Sequence, residues 1–536
     1  MSRGLSRRRF LELTGAMSGA ALLAMSGCAP QAQPTQAPAA PTAAPAPTAT
    51  SAPAKAAAPK TLRVRLGHDI RNLDPAFQYS DQEGVVSNCV FNNLVVYKAG
   101  TYDVVNDLAE TIKASDDGKT ITFKLREGVK WHKGYGEVTT EDVKFSYERY
   151  AKVDSPYKDD WKVLDQVQIV DKYNGKIILK EAFAPLWHST LPVERGGILC
   201  KKYTEEVGNE KFATNILGSG PYIFTEWQPG QKVILKANPD YFAGKPAFDE
   251  IDFFPIEEDK TAEVGYEAGE LDFGMISAGS VDRYKADSRF KFLKKPQLGY
   301  KWIGMNVESP KLKDINVRQA IRYAIDVPSI LKASYLGQVD QEYTLLAPGL
   351  LGNWADAPKY TRDVAKAKEF MAKAGLKSLD LRIDIIDNSE YRPYGEVSQQ
   401  NLKDIGINLT INPLDETSFW SIGEGDKGKD LELFCNSYTM MPDPAWGPMW
   451  FTCEQIGIWN WMRWCSKEFD DLHAKGMVTL DDKEREKIYI KMQQMWDAAC
   501  HTVWITHSAA FFVHTPTIKG YLTPHGLPQV RWITPA

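Results

Sequence analysis

No single hydrophobic core grows large enough to serve a chain of 536 residues, so this sequence has to fold as at least two lobes. With 43% hydrophobic and 25% charged residues, the disordered, collagen-like and multi-span membrane classes are excluded and the lobes are globular. Residues 1–27 hold four Arg and one Glu, which leaves a net −8 on the remainder against −5 for the whole chain. A body of that charge disfavours nucleic acid as a partner. Nothing after residue 27 approaches the roughly 20 consecutive apolar residues that a spanning helix needs.

The N-terminus is a signal segment rather than a fold element: Ser6-Arg7-Arg8-Arg9-Phe10-Leu11, an apolar run from Leu13 to Met25, then Ser26-Gly27-Cys28. Arg7 and Arg8 before Phe10-Leu11 resemble a twin-arginine export signal, although Glu12 stands where a basic residue is usual. Gly27-Cys28 resembles a lipoprotein cleavage site, with Cys28 as the lipid attachment point; an ordinary secretory peptide is the alternative. Residues 29–59 contain only Ala, Pro, Gln, Thr, Ser and one Lys, a composition that buries too little apolar surface to order itself. They form a tether that reaches on the order of 90 Å when extended.

From Thr61 the pattern becomes globular. Leu62, Val64 and Leu66 alternate with polar residues, and Ile121, Phe123 and Leu125 do so after the turn Asp116-Asp117-Gly118. Thr140 is the expected N-cap of a helix that turns Val143, Tyr147 and Tyr150 inward. Val317, Ala320, Ile321, Ala324 and Ile325 fall at helical spacing, and Asp326 with Pro328 restarts the chain. Asp363 opens another helix, stopped by Gly375. Alternating Leu379, Leu381, Ile383 and Ile385, a helical stretch around Val397 to Ile405, and alternating Ile407, Leu409 and Ile411 make a strand, helix, strand unit. That order implies an α/β lobe with a partly parallel sheet.

The densest chemical signal is Met440-Met441-Pro442-Asp443-Pro444-Ala445-Trp446, followed by Trp450, Trp459, Trp461 and Trp464. Indoles beside a Pro-rich loop suit either a ligand wall or a closed loop core, with Trp446 and Trp459 favoured over Trp464 to face a cleft. No catalytic constellation is present. Gly218-Ser219-Gly220 lacks the spacing of a nucleophile elbow, and His501, His507 and His514 match no zinc motif, so they read as satisfied core or surface histidines. A secreted two-carboxylate hydrolase has no positive support.

Several segments in order resemble the peptide/nickel class of extracytoplasmic solute-binding proteins, family 5, the capture components of ABC importers. They are Leu73-Asp74-Pro75-Ala76 with Val90-Phe91-Asn92-Asn93-Leu94, the run from Ser115 to His132 with Thr140-Glu141-Asp142-Val143, Leu217-Gly218-Ser219-Gly220-Pro221-Tyr222, and Asp314-Ile315-Asn316-Val317-Arg318-Gln319-Ala320. Most of these motifs read as structural: Gly218 and Gly220 suit a backbone turn, and Arg318 suits a salt bridge to a nearby carboxylate.

The resemblance implies an α/β, two-lobed fold of periplasmic-binding-protein type II with a hinge and an inserted smaller domain. Residues 60–90, 212–300 and 511–536 would form the first lobe, 91–211 its insertion and 301–510 the second lobe. It implies an exported, lipid-anchored receptor, not an enzyme, that takes a peptide-like or other small organic solute between its lobes and delivers it to permease subunits. An oligosaccharide or a nickel or other metal chelate is the alternative solute. The receptor would act as a monomer, without cofactor, metal or nucleic acid. Relatives hold a peptide α-amino group with an acidic residue three positions before the Asp of the Asp-Pro pair, where Met440 stands here. That argues against a free-amine peptide unless Asp443 has taken over the task. Tyr391-Arg392-Pro393 lies where some relatives grip a carboxylate, so Tyr391, Arg392, Trp302, Met440, Asp443, Trp446, Trp459 and Trp461 are the expected ligand contacts. Cys453 and Cys465 resemble a short-loop disulfide of dipeptide-binding relatives. Cys89, Cys200, Cys435 and Cys500 have no assignable pairing.

Overall fold

The computed structural model describes residues 60–78, 80–155 and 158–536. Arg7, Arg8, Cys28 and the 29–59 tether lie outside the described residues. Three large sheets organise the body. The first, of seven strands, orders Lys291–Pro296, Ala509–His514, Phe273–Met275, Thr61–Leu66, Glu250–Pro255, Lys232–Ala237 and Tyr222–Gln228. Its core strand Thr61–Leu66 buries Leu62, Val64 and Leu66, as their alternation predicts, and runs parallel to Glu250–Pro255.

The second sheet is antiparallel and lies wholly within the inserted segment, ordering Ala109–Ala114, Thr120–Leu125, Asn174–Leu179 and Leu164–Ile169. The helix Thr140–Lys152 packs on it with Val143, Tyr147 and Tyr150 buried. Its cap is Thr139 rather than the expected Thr140. Thr139 and Asp142 bond reciprocally, with the Thr139 N–H donating to Asp142 at 2.9 Å, whereas the Thr140 hydroxyl is drawn off to the Asp171 carbonyl at 2.6 Å.

The third sheet, of five strands, orders Ile407–Leu414, Leu379–Ile386, Leu433–Thr439, Gly299–Met305 and Thr502–Thr506. Leu379–Ile386 and Ile407–Leu414 are parallel neighbours joined through the helix Arg392–Lys403, the expected strand, helix, strand unit. Two adjoining strand pairs, Lys291–Pro296 with Gly299–Met305 and Thr502–Thr506 with Ala509–His514, step from the first sheet to the third. Ser508 sits in the second step with φ +60°, its N–H held by the Thr506 hydroxyl at 3.0 Å.

Two motif residues act differently from expectation. Arg318 forms no ion pair with a carboxylate among the described residues; it donates to the carbonyls of Leu312, Lys313, Ala499 and Cys500, tying a helix start to a helix end. Gly218 and Gly220 are required by close approach rather than by turn conformation. A Cβ on Gly218 would lie 2.0 Å from the Val90 carbonyl oxygen, and the Gly220 N–H donates to that oxygen at 2.8 Å.

Candidate functional site

A cleft of about 550 Å³ opens between the inserted segment and the second lobe. One wall is formed by Tyr102, Asp103, Val104 and Ala114 with Ala184, Trp187 and His188; the other is Leu480, Asp482 and Arg485. Its volume falls in the range of small-molecule sites. Few, specific contacts bridge it. The Ala184 N–H donates to the Met477 carbonyl at 2.8 Å, His188 pairs with Asp482 at 3.2 Å, the Trp446 indole N–H donates to Ser189 Oγ at 3.0 Å, and Arg195 reaches the Met441 sulfur at 3.3 Å. At the opposite end His525 lies between Tyr102, whose hydroxyl is 2.9 Å from Nδ1, and the Pro348 carbonyl, 3.2 Å from Nε2. Burial pulls the His525 pKa down to about 4, so the ring bridges the lobes in its neutral form.

The second-lobe wall rests on one ion pair. Asp443 and Arg485 are fully buried and bonded twice, at 2.7 and 2.8 Å, while the other guanidinium nitrogen donates to the Gly476 carbonyl. Burial works against the Arg485 charge, but Asp443 more than restores it, leaving the guanidinium pKa above its ordinary value. Asp443 Oδ1 also caps the short turn that follows, accepting from the Ala445 N–H at 2.9 Å. The expectation that Asp443 contacts ligand is therefore corrected: its carboxylate is committed to a buried cation and a turn. Arg485 carried a legible signal, since it lies on the same helical stripe as Ile488, Tyr489, Met492 and Trp496, all buried. A charge on such a stripe demands a partner.

The other expected residues divide. Trp446 reaches across to the inserted segment through its bond to the buried Ser189, but does not line the cleft. Trp459 is 39% exposed and presents its ring edge to Tyr438 and Trp450, with the Tyr438 hydroxyl donating to its carbonyl at 2.6 Å. Trp461 is instead a core side chain: its indole lies where a Cβ on Gly423 would stand, and its N–H is satisfied by the Ile458 carbonyl at 3.1 Å. Trp464 packs inward on Phe469, Trp496 and His501.

Trp302 is fully buried against Tyr300, Tyr438, Phe451 and Trp504, and its indole N–H, like that of Trp450, has no partner among the described residues. Met440 is buried in the same lobe. Tyr391 is buried with its hydroxyl on Ser437 at 2.9 Å, under the Lys301 ammonium. Arg392, expected as a carboxylate grip, is exposed and holds Asp387 at 2.6 Å. Its neighbourhood instead contains an unforeseen network in which Lys301 and the Tyr335 hydroxyl both bond Glu390, and Tyr335 meets Tyr394 at 2.9 Å.

Cys453 and Cys465 form a disulfide with Cα atoms 4.7 Å apart, closing the loop that bears Trp459 and Trp461. The remaining described cysteines are free and buried. His507 bonds the Thr344 carbonyl at 3.0 Å, but His501 differs from the expected satisfied histidine. Neither ring nitrogen has a partner among the described residues, and burial between Trp464 and Trp496 holds its pKa well below normal. Among the described residues no three His, Cys, Asp or Glu side chains gather as a metal-ion donor set. The cleft residues on the inserted wall were not foreseen; no local pattern marks Tyr102, Asp103, Trp187 or His188.

Residues 103–457 match the family model described as bacterial extracellular solute-binding proteins, family 5 Middle. The chain is 27% identical over 466 residues to the dipeptide-binding protein of Escherichia coli K12, covering 81% of this chain and 86% of that one. It is 26% identical over 492 residues to the probable D,D-dipeptide-binding periplasmic protein DdpA of the same organism, covering 88% and 94%. The structure of HbpA2 from Haemophilus parasuis superposes with a TM-score of 0.82 at 24% identity, covering 89% of this chain and all of that one.

Proposed function

Because this chain belongs to the bacterial extracellular solute-binding proteins of family 5, whose members are receptors and not enzymes, we propose that it captures a peptide-like or other small organic solute in the cleft between the inserted segment and the second lobe. It then passes that solute to the permease of an ABC importer. The family is extracytoplasmic, and no helix among the described residues is long and apolar enough to cross a membrane. A lipid on Cys28 and the 29–59 tether would hold the receptor at the membrane surface, and twin-arginine export would bring it there.

The observation that carries this reading is the way the cleft is bridged. Among the described residues a few hydrogen bonds, one of them between backbones, and the His188–Asp482 contact link the two walls. Contacts of that number are made and broken in hinge closure, and a solute touching both walls favours the closed state by its differential affinity. Binding of an oligosaccharide is a second reading, favoured by the exposed Trp459 ring, a flat face on which a sugar can stack.

Native mass spectrometry of the full chain purified from its own host, with release and identification of retained small molecules, tests the proposal. One organic solute per protein is expected. A protein that arrives empty, and whose melting temperature no peptide, oligosaccharide or metal chelate raises, contradicts it.

A further inference from the structure

Three parts of the chain meet on the buried ring of His525. The residue stands third in the turn Thr523-Pro524-His525-Gly526, closed by the Gly526 N–H on the Thr523 carbonyl at 3.1 Å and by the Leu527 N–H on the Thr523 hydroxyl at 3.0 Å. The turn is packed down on the first lobe, where a Cβ on Gly526 would lie 2.9 Å from the Ala510 Cβ. On one side the ring stacks on Tyr102 of the inserted segment at 5.3 Å and meets its hydroxyl at 2.9 Å. On the other it meets the Pro348 carbonyl at 3.2 Å, in a second-lobe loop that Gln493 and Asn353 anchor at Leu346. Tyr102 itself lines the cleft.

These partners fix where the proton sits. A carbonyl only accepts, so Nε2 carries the hydrogen and donates to Pro348, which leaves Nδ1 bare to accept from the Tyr102 O–H. The Tyr102 oxygen also faces the Thr523 hydroxyl and the His525 backbone N–H, so both its lone pairs are engaged. The titratable groups around the ring are Tyr102, Lys295 from the strand Lys291–Pro296, and His507 from the step between the sheets; Asp81 of the helix Asp81–Val90 acts on the Tyr102 hydroxyl. Residues 344–353 and the rest of 522–529 hold no titratable side chain, and no carboxylate among the described residues bonds the ring. A second ring proton therefore strands the Tyr102 hydroxyl and leaves a buried, unpaired charge near Lys295.

We propose that His525 is the closure latch of this receptor, a positioning residue that holds the cleft-lining Tyr102 and ties it to the second lobe only as the neutral Nε2–H ring, so that protonation of this one side chain opens the cleft. The inference rests on the receptor function proposed above and adds a condition under which the cleft lets go. Opening frees the ring to water and to its ordinary value of about 6.5, whereas burial holds it at about 4 in the closed form. Closure is thus fully favoured above pH 6.5 and weakens as pH falls, the closed-to-open ratio dropping about thirtyfold between pH 7.5 and 5.

The full chain, labelled with nitrogen-15 histidine, is followed by NMR for the ring tautomer and by small-angle X-ray scattering for closure, from pH 7.5 to 5. Beside it run His525→Gln, which keeps a donor for Pro348 and cannot titrate, and His525→Ala. At pH 7.5 the signal that His525→Gln removes is expected to be the Nε2–H tautomer, with wild type and His525→Gln equally compact and His525→Ala expanded. At pH 5 the wild type is expected to expand and His525→Gln to stay compact. Melting curves show that each variant is folded. His188, whose pairing with Asp482 a proton strengthens, and the other buried histidines are common to all three chains, so their titration cancels in the comparison. An Nδ1–H tautomer, a wild-type radius indifferent to pH, the same acid expansion in His525→Gln, or a compact His525→Ala overturns the latch. None of these readouts involves solute, so any such result leaves the receptor function to its own test, the retained molecule.

Discussion

The two walls of the cleft are built on opposite principles. The second-lobe wall is finished: Asp443 and Arg485 consume each other's charge, Trp461 and Trp464 pack inward, and a disulfide closes the loop that carries the indoles. The inserted wall is more open: Asp103 is exposed with no side-chain partner among the described residues, Trp187 is half-buried, and Ser189 meets the other wall only by accepting from Trp446. A receptor needs both kinds of surface. Rigidity on one side fixes where the solute docks, and unspent chemistry on the other makes closure depend on the solute.

Acid should break the finished interior first and most strongly. Burial lowers His132, His473, His507 and His525 to about 4, and His501 further, so the unfolded chain takes up their protons between about pH 6.5 and 4 while the folded one does not. Stability present above pH 6.5 is lost as pH falls through that window, at about 1.4 kcal/mol per pH unit for each proton not offset. Asp81 and Asp160, raised by burial to about 6, and Glu342, raised to about 7, work the other way, since protonating them on acidification relieves an unfavourable charge. His514 is lowered by burial as well, and Asp142 and Asp470 are raised by it, so six histidines stand against five carboxylates; Glu148, lowered despite burial by its hydrogen bonds, and Asp482, lowered by its bond to His188, add to the loss in acid and leave it net. Melting temperature measured between pH 7 and 4.5 should fall steeply, and a flat or rising profile would refute the balance.

Replacing Arg485 by Leu strands the Asp443 carboxylate in the interior and should cost roughly 3–5 kcal/mol in denaturant unfolding. The double replacement with Asp443→Leu should recover a large part of it; a cost below about 1 kcal/mol for the single variant would show that water reaches the pair. Opening the Cys453–Cys465 bridge with Cys453→Ser and Cys465→Ser should lower stability by about 2–3 kcal/mol, as a closed loop of that length predicts. No change in the unfolding midpoint would show that the indole loop is held by packing alone.

Trp446→Phe keeps an aromatic ring, though a smaller one, and removes the hydrogen bond to Ser189, which is worth about 1 kcal/mol, so solute affinity should drop about fivefold with little change in melting temperature. Equal affinities would place closure elsewhere. Smallest of all, Arg392→Ala should change neither stability nor affinity measurably, because its side chain is exposed and its ion pair with Asp387 is screened by water. A clear loss of binding would reinstate it as a carboxylate grip.

The finished wall was also the legible one. Apolar periodicity located the strand, helix, strand unit at 379–414, whereas the second-lobe residues that line the cleft, Leu480, Asp482 and Arg485, lie outside the Asp-Pro turn and its Trp run. Sequence reasoning erred where a residue's partner is far along the chain. Asp443 read as free because Arg485, 42 residues away, was not matched to it, and Trp461 read as a wall because nothing local announces that Gly423 makes room for its indole. The open wall left no trace at all: Tyr102 and Trp187 meet Leu480 and Asp482 only through the packing of whole domains, and exposed unpaired residues carry no periodicity to read.

Hydrogen exchange of the full chain, with and without the solute recovered from it, tests the central claim most directly. Protection is predicted on both walls together, at residues 102–104, 184–189, 441–446 and 477–485. Protection confined to the network around Lys301 and Glu390, or absent from the 184–189 segment, would contradict a solute held between the inserted segment and the second lobe.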